Sequence, residues 1–127
     1  MYKSKDTWKK QKLESNLVRV ASIDLGSNST RLLIADITNG DLNTIYKEHQ
    51  VTRMADKLSE TKMISIDASN RVLKTLTGYF KIISRENVEN IQIVGTAALR
   101  DAKNSQEITQ LIEKRFSIEV NIVSGEE

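Results

Sequence analysis

The hydrophobic pattern of the first half of the chain predicts three strands. Apolar and β-branched residues dominate positions 17–24 and 31–37, in runs of strand length, as is typical of buried strands. Asn39 and Gly40 favour a tight hairpin, because a type I′ turn needs positive φ at both central residues. A third strand is predicted over positions 42–51. We therefore expect an antiparallel three-stranded meander.

The pattern changes to a helical period after position 60. From Ile66 onward, apolar residues recur on one stripe of a long predicted helix, at Val72, Leu73, Leu76, Tyr79, Phe80 and Ile83. Such spacing places them on one face. Ser65 is the predicted N-cap. Gly78 lies inside this helix at a cost of about 1 kcal/mol relative to alanine, and we expect close helix packing to explain it.

Two further strands and one helix complete the predicted fold. Positions 91–95 and 118–123 have strand patterns, and positions 105–115 carry apolar residues at helical spacing. Strand–helix–strand connections of this length are parallel and right-handed. The predicted order is three strands, a helix, a strand, a helix and a strand (βββαβαβ). This α/β arrangement, a five-stranded mixed sheet with helices packed on it, is typical of a ribonuclease H-like lobe, although a fold alone does not give a function.

Composition limits the chemistry that the chain can perform. Its 127 residues suit one domain, and 39% hydrophobic with 28% charged residues is typical of a soluble globular protein. No apolar run approaches the roughly 20 residues that a membrane helix needs. With no cysteine and one histidine, disulfides, thiolate metal sites and histidine-rich zinc sites are excluded. Enzyme chemistry would have to use carboxylates, hydroxyls, amides, arginine and lysine.

The formal net charge of +2 is too small to predict a nucleic-acid partner. Most of the excess lies in residues 1–16, which we interpret as a basic, flexible leader. It is not a signal peptide, because no apolar core follows its lysines. The alternative is a basic arm that touches nucleic acid or acidic lipid. We expect a cytoplasmic protein with neither a membrane nor a specific nucleic-acid partner.

The first cluster of candidate functional residues follows the first predicted strand. Asp24 ends this strand, and Gly26, Ser27, Asn28 and Ser29 form the turn after it. A glycine lets a ligand approach the backbone, and successive N–H groups in such a turn bind phosphate. Asp24 is suited to orienting a water or a magnesium ion. An ordinary polar hairpin turn explains the same residues equally well.

Two more clusters follow later strands. Residues 95–104 include Arg100, whose guanidinium suits phosphate oxygens; the alternative is a surface salt bridge with Asp101 or Glu107. Residues 124–127 end in Glu126 and Glu127, which are suited to positioning or deprotonating an attacking water; the alternative is a solvated chain end. Because ligands bind beyond the carboxyl ends of parallel strands, we expect the three clusters to converge on one cleft.

At these clusters the sequence resembles the exopolyphosphatase and guanosine pentaphosphate phosphohydrolase family. The similar segments are residues 24–29, 94–100 and 123–127, in the family's order and at suitable spacing, and the resemblance extends from about Val18 to the last residue. The family belongs to the actin-like ATPase superfamily, whose members pair two ribonuclease H-like lobes around a phosphate cleft. The resemblance implies hydrolysis of a terminal phosphoanhydride with Mg²⁺ or another divalent cation.

The resemblance also implies roles for individual residues. Gly26, Ser27, Asn28 and Ser29 match the first phosphate loop. Arg100 matches the arginine that holds the phosphate chain, and Arg53 falls near another basic position of the family. The family's catalytic base is a glutamate in the segment that residues 124–127 enter. In an ungapped register the base would follow Glu127, and in a register shifted by one it is Glu127 itself.

The resemblance covers one lobe. Residues 17–127 are expected to form the first lobe of a longer protein, with a second lobe, its phosphate loop and its aspartate outside this sequence. The implied partners are polyphosphate or guanosine pentaphosphate and the missing lobe, and a lone lobe is also expected to be able to form a homodimer. We expect negligible activity from this chain alone.

Two alternative functions remain open from the sequence. A sugar-kinase-type lobe or another actin-like ATPase shares the first loop, but it lacks the signatures at residues 95–100 and 124–127. A non-catalytic module would bind polyphosphate or a nucleotide without hydrolysing it. Phosphoryl transfer to an acceptor would identify the first alternative, and binding without hydrolysis would identify the second.

Overall fold

The computed structural model of the chain describes residues 16–124. The predicted leader therefore lies outside the described residues except for Asn16, and so do Glu126 and Glu127. The elements of the described part, in chain order, are β1 (Leu17–Leu25), β2 (Ser29–Thr38), β3 (Asp41–Val51), α1 (Leu58–Thr61), α2 (Ile66–Arg85), β4 (Asn90–Gly95), α3 (Ala97–Asp101), α4 (Ser105–Phe116) and β5 (Val120–Ile122). None of these helices is long and apolar enough to span a membrane.

The sheet has the predicted mixture of antiparallel and parallel strands. Its order is β3-β2-β1-β4-β5, with β1–β2 and β2–β3 antiparallel and β1–β4 and β4–β5 parallel. Asn39 and Gly40 adopt φ of 50° and 86°, as expected for the hairpin turn. The prediction of five strands is confirmed, but β5 is shorter than predicted, and the one-turn helices α1 and α3 were not predicted.

The hydrophobic core lies on one face of this sheet. On β1 the inward residues Ala21, Ile23 and Leu25 are buried, and the alternate residues Ser22 and Asp24 are half-buried on the other face. The stripe of α2 packs on the inward face, and α4 adds residues to the same core. Burial of each large apolar side chain contributes roughly 1.5–3 kcal/mol. The described helices thus leave the opposite face of the sheet open.

Helix α2 begins as predicted but contains one surprise. The Ser65 hydroxyl accepts a hydrogen bond of 3.0 Å from the backbone N–H of Ala68, a cap that contributes about 1 kcal/mol. Gly78 is exposed, and a Cβ placed on it would meet nothing within 4 Å. The expectation that close packing explains Gly78 is therefore wrong.

A buried ion pair joins the strands to the C-terminal end of α2. Arg19 on β1 donates two hydrogen bonds to the carboxylate of Asp36 on β2, at 2.7 and 3.1 Å. A third, of 2.9 Å, goes to the backbone carbonyl of Glu86, which follows α2. Both charged side chains are almost fully buried. Since each polar group of the pair has partners, the pair ties the meander to the helix layer.

Candidate functional site

The loop between β1 and β2 closes on itself at Gly26. The N–H of Gly26 donates to the carbonyl of Ser29 at 2.9 Å. A Cβ at Gly26 would lie only 2.8 Å from that same oxygen, so a larger residue would force the backbone apart. The glycine is therefore required by the closure of the turn itself, in addition to the ligand access for which the sequence suggested it.

The segment after β3 donates hydrogen bonds to the carbonyl groups of this loop. The Asn28 carbonyl accepts from the N–H groups of Thr52 and Arg53, at 3.0 and 2.9 Å, and the Ser27 carbonyl accepts from Ala55 at 3.0 Å. Within residues 16–124, the N–H groups of Ser27 and Asn28 donate to no acceptor, and their side chains form no hydrogen bond. A loop with occupied carbonyls and unpaired donors has the polarity that an anion site requires.

Arg53 stands beside this loop in an unusual backbone conformation. Its φ is 48°, in the left-handed region, which is unfavourable for a residue with a Cβ. Its side chain helps to line a depression of about 260 Å³ together with Ser27, Asn28, Ala55 and Asp56. The structure therefore brings Arg53 together with the first predicted cluster.

The second predicted cluster is attached to the end of β1. The N–H and the hydroxyl of Thr96 both donate to the carbonyl of Leu25, at 3.3 Å. A Cβ on Gly95 would lie 2.5 Å from Leu99 Cδ1, so this glycine allows α3 to fold back onto the strand. A second depression, of about 480 Å³, separates Ser27 from α3 and is lined by Ser27, Ala55, Leu58, Ser59, Lys62, Ala97, Ala98 and Asp101.

Arg100 connects the second cluster to the third. Its Nη1 donates to the carbonyl of Val123 at 2.9 Å, and the N–H of Val123 donates to Gly95 at 3.0 Å. Within the part of the chain that the structure describes, Arg100 forms no ion pair with Asp101 or Glu107, the alternative suggested by the sequence. The catalytic assignment of Glu126 and Glu127 lies outside the described residues and stays a prediction.

Asp24 lies near the loop but faces the open side of the sheet. Arg31 on β2 and Val94 on β4 are its neighbours in the ladder. It lines a depression of about 630 Å³ whose rim includes the exposed Arg31 and His49, and it does not line the depression beside Arg53. The predicted metal residue and the predicted phosphate residues thus lie on adjacent surfaces at the C-terminal end of β1.

The chemistry of Asp24 fits a divalent cation. Its Oδ1 atom is inaccessible and has no hydrogen-bond partner in the described part of the chain. Residues 16–124 contain no group of three or more acidic, histidine or cysteine side chains that would enclose a metal. Mg²⁺ is often held by one or two carboxylates, with waters and substrate phosphates supplying the other ligands. A single carboxylate is compatible with that mode.

A buried polar network next to the β1–β2 loop was not predicted from the sequence. The Tyr79 hydroxyl donates to the carbonyl of Thr30 at 2.7 Å, and the hydroxyls of Thr30 and Thr52 are 2.9 Å apart. Burial, as the main cause, raises the pKa of Tyr79 to about 12. These residues had no distinguishing signal, since Tyr79 falls in the apolar stripe of α2 and the threonines fall in strands.

Asn104 belonged to the predicted second cluster, and it has a structural position. Its Nδ2 donates to the carbonyl of Ile64, and its Oδ1 accepts from the N–H of Ile64, both at 2.9 Å. The backbone N–H of Lys103 donates to Lys62 at 2.9 Å. These bonds join the turn before α2 to the start of α4.

Comparison with known proteins gives a consistent family. Residues 33–127 match the model of the Ppx/GppA phosphatase family. The chain is 32% identical over 115 residues to a putative exopolyphosphatase of Haemophilus influenzae, covering 91% of this chain and 36% of that protein. It is 36% identical over 107 residues to a guanosine-5'-triphosphate,3'-diphosphate pyrophosphatase of Vibrio cholerae, covering 84% and 22%.

Solved structures agree with this result. The crystal structure of the Aquifex aeolicus member of the Ppx/GppA family superposes with a TM-score of 0.82 at 34% identity, over 87% of this chain and 36% of that one. The fold is therefore the ribonuclease H-like lobe of the actin-like ATPase fold, as predicted. The chain spans about a third of the length of that structure and of the Haemophilus protein.

Proposed function

Because the chain belongs to the Ppx/GppA phosphatase family, we propose that it forms the first lobe of a hydrolase that releases terminal phosphate from inorganic polyphosphate or guanosine pentaphosphate. One observation carries the proposal: the carbonyls of Ser27 and Asn28 are hydrogen-bonded, their N–H groups have no acceptor among the described residues, and Arg53 lies beside them. The names of two relatives, an exopolyphosphatase and a guanosine-5'-triphosphate,3'-diphosphate pyrophosphatase, support the substrate class.

The proposed mechanism rests on positioning and charge stabilisation. The N–H groups of Ser27 and Asn28 hold the oxygens of the terminal phosphate, and Arg53 neutralises part of its charge. Arg100 has further N–H groups besides the one bonded to Val123, and it holds the next part of the phosphate chain. Glu127, or Glu126, orients or deprotonates the attacking water.

Asp24 is the proposed metal residue. A bound Mg²⁺ would neutralise phosphoryl charge in the way that phosphoryl transfer requires. The role of this chain is to keep the Asp24 side chain, whose Oδ1 has no hydrogen-bond partner among residues 16–124, at the end of β1, next to the phosphate loop. We place the reaction in the cytoplasm, where nucleoside polyphosphates and magnesium are both available.

The second lobe is an essential partner in this proposal. The relatives that this chain matches are much longer than the chain itself, and a cleft between two lobes surrounds a phosphate that one lobe can only touch from one side. We therefore expect negligible hydrolysis from this chain alone. Copies of the isolated chain are also proposed to form a homodimer, because a lobe without its partner exposes the surface that the partner would cover; light scattering tests this.

The direct experiment measures phosphate release with Mg²⁺ from long-chain polyphosphate and from guanosine pentaphosphate. It compares the longest open reading frame that contains this chain, the chain alone, and the longer protein carrying Arg53→Asn. Asparagine tolerates the left-handed conformation, so this variant removes the guanidinium with little backbone cost. We expect kcat/KM to fall about 100-fold. Arg115→Asn, at an exposed position of α4, is the control.

The outcomes of this experiment distinguish the candidate functions. Release by the longer protein alone supports both the hydrolase proposal and the need for two lobes. Release by neither protein from either substrate would contradict the hydrolase proposal. Phosphoryl transfer to an acceptor would indicate a kinase-type lobe, and binding without release would indicate a non-catalytic module. Equal loss in the Arg115 control would remove the specific role of Arg53.

A further inference from the structure

The backbone of Thr52 and Arg53 is hydrogen-bonded to two different parts of the molecule. Their N–H groups donate to the carbonyl of Asn28 in the β1–β2 loop. Their carbonyl groups accept from a single side chain, Arg71 on α2, with Nε 2.7 Å from the Thr52 oxygen and Nη2 3.2 Å from the Arg53 oxygen. The segment therefore lies between the phosphate loop and the helix, bonded to both.

Arg71 suits this position for a geometric reason. The guanidinium group is a rigid planar fork, so it can meet two adjacent carbonyls at once, which the single ammonium of lysine cannot do in the same way. Its side chain is about one-third exposed, and Nη2 lies 4.0 Å from the carboxylate of Asp56. Arg71 thus contacts the segment at three residues: Thr52, Arg53 and Asp56.

The segment needs such support because Arg53 is strained. A left-handed conformation costs a non-glycine residue roughly 1–2 kcal/mol, and it persists only where surrounding contacts determine it. At Arg53 those contacts are the Asn28 carbonyl, the N–H of Asp56, which donates to the Arg53 carbonyl at 3.1 Å, and the guanidinium of Arg71. If the contact with Arg71 is lost, only the backbone hydrogen bonds to Asn28 and Asp56 remain to hold Arg53 in the strained conformation.

We propose that Arg71 is a positioning residue that holds the 52–56 segment so that Arg53 faces the phosphate loop. Arg71 need not touch substrate; it acts through the conformation of Arg53 and through the carbonyls that the segment occupies in the loop. This inference rests on the proposed function, because it assigns to Arg53 a contact with phosphate. It adds a structural reason for that contact: a residue of α2 supports the conformation of Arg53.

A double-mutant cycle in the longer protein tests whether Arg71 acts through Arg53. We compare Arg71→Met, Arg53→Asn and the double variant by kcat/KM for phosphate release. Arg71→Met is expected to lower kcat/KM about 10-fold, mainly through KM, and to have less than about a twofold effect once Arg53 is absent. If the double variant's fold-loss in kcat/KM equals the product of the two single losses, the proposal is overturned, because Arg71 would then act independently of Arg53.

Two variants separate positioning from charge and from general stability. Arg71→Lys keeps the charge but loses the fork, so we expect at most partial activity; full activity would overturn the proposal in favour of charge alone. Lys74→Met removes a cation from the next turn of α2. Lys74 and Arg71 line the same depression of about 390 Å³, but within the described structure Lys74 donates no hydrogen bond to residues 52–56. Activity of this control should match that of the unaltered protein, and an equal loss would also overturn the proposal.

Hydrogen exchange distinguishes failure of this inference from failure of the proposed function. In Arg71→Met, and to a smaller degree in Arg71→Lys, the amides of residues 52–56 should exchange about 10-fold faster, because local opening becomes easier. Unchanged exchange would overturn the positioning role even if activity fell. If the unaltered protein releases no phosphate but exchange accelerates as expected, then the function is wrong while Arg71 still holds the segment.

Discussion

The β1–β2 ladder contains two arginine–aspartate pairs with opposite outcomes. Arg19 and Asp36 are direct neighbours across the strands, as are Asp24 and Arg31. The first pair is buried and closes into an ion pair of 2.7 Å. In the second pair Arg31 is exposed, and Asp24 Oδ1 finds no partner in the described part of the chain. The same residue types in the same register thus serve two purposes.

The difference comes from the face of the sheet. The difference between positions 19 and 24 is odd, so their side chains lie on opposite faces of the sheet. Arg19 and Asp36 face the helix layer, where a buried charge must be paired. Asp24 faces the open side, where Arg31 is exposed and forms no ion pair within residues 16–124. The comparison indicates that Asp36 has a structural role, and it leaves Asp24 as the candidate metal residue of the proposed function.

The largest effect is expected from Asp36→Ala. Removing the carboxylate leaves Arg19 buried with one lost partner, so we expect the free energy of unfolding to fall by about 3–5 kcal/mol. Urea unfolding measures the change. Asp41→Ala, an exposed position at the start of β3, is the control and should change stability by less than about 0.5 kcal/mol. A loss below about 1 kcal/mol for Asp36 would show that the ion pair contributes little to the fold.

Asp24→Asn should have the opposite profile. Because its Oδ1 has no partner in the described structure, we expect stability to stay within about 0.5 kcal/mol or to rise. Phosphate release by the longer protein should nevertheless fall about 100-fold. Phosphate assays and urea unfolding on the same preparation separate the two effects. A stability loss similar to that of Asp36→Ala would break the comparison, since Asp24 would then be a structural residue too.

Tyr79→Phe tests whether the hydrogen bond from α2 to the start of β2 stabilises the fold. The variant loses the hydrogen bond to Thr30, which should cost about 1 kcal/mol. Because the pKa of Tyr79 is raised to about 12 in the folded state, the folded protein binds more protons than the unfolded chain between pH 10 and 12, roughly the two pKa values. Stability therefore falls as the pH rises through this window.

Unfolding at pH 8 and at pH 11 checks this prediction. The unaltered protein should lose more stability between the two pH values than the phenylalanine variant, which lacks the titrating hydroxyl. All other tyrosines and lysines are the same in both proteins, so their contributions cancel in the comparison. Equal losses in the two proteins would show that the Tyr79 hydroxyl does not keep its proton in the fold.

The smallest effect compares two glycines. Gly78→Ala on the exposed face of α2 should raise stability by about 0.5–1 kcal/mol, because alanine favours the helix and the added Cβ meets nothing within 4 Å. Gly26→Ala should lower stability, because its Cβ would contact the Ser29 carbonyl. Thermal unfolding of both variants tests the contrast. A loss at Gly78 would indicate a packing role that the open surroundings do not explain.

Much of the fold followed from the sequence because periodicity reports burial. The strands of the meander, the stripe of α2 and its Ser65 cap all have local signals, and each was predicted. Helices α1 and α3 were missed because four or five residues are too short to reveal a helical period. Gly78 was misinterpreted because a glycine inside a helix has the same local signal whether its surroundings are packed or empty.

The candidate site was only partly predictable. The β1–β2 loop and Arg100 carry recognisable motifs, and Arg53 was found through family resemblance. Arg71 had no signal, because an arginine on an amphipathic helix is expected to be a solvated side chain. Its contacts with Thr52 and Arg53 span nearly twenty residues of sequence, and neither partner uses a side chain that a motif would reveal.

By itself, the sequence determined the five strands, the two long helices, the buried stripe of α2 and the polar loop that follows β1. These features depend on local patterns of residues. The tertiary structure alone decided which arginine pairs with which aspartate, and that Arg71 reaches the backbone beside the loop. Those outcomes depend on which face the helices cover and on distances between segments remote in sequence, because burial obliges a charge to find a partner and exposure does not.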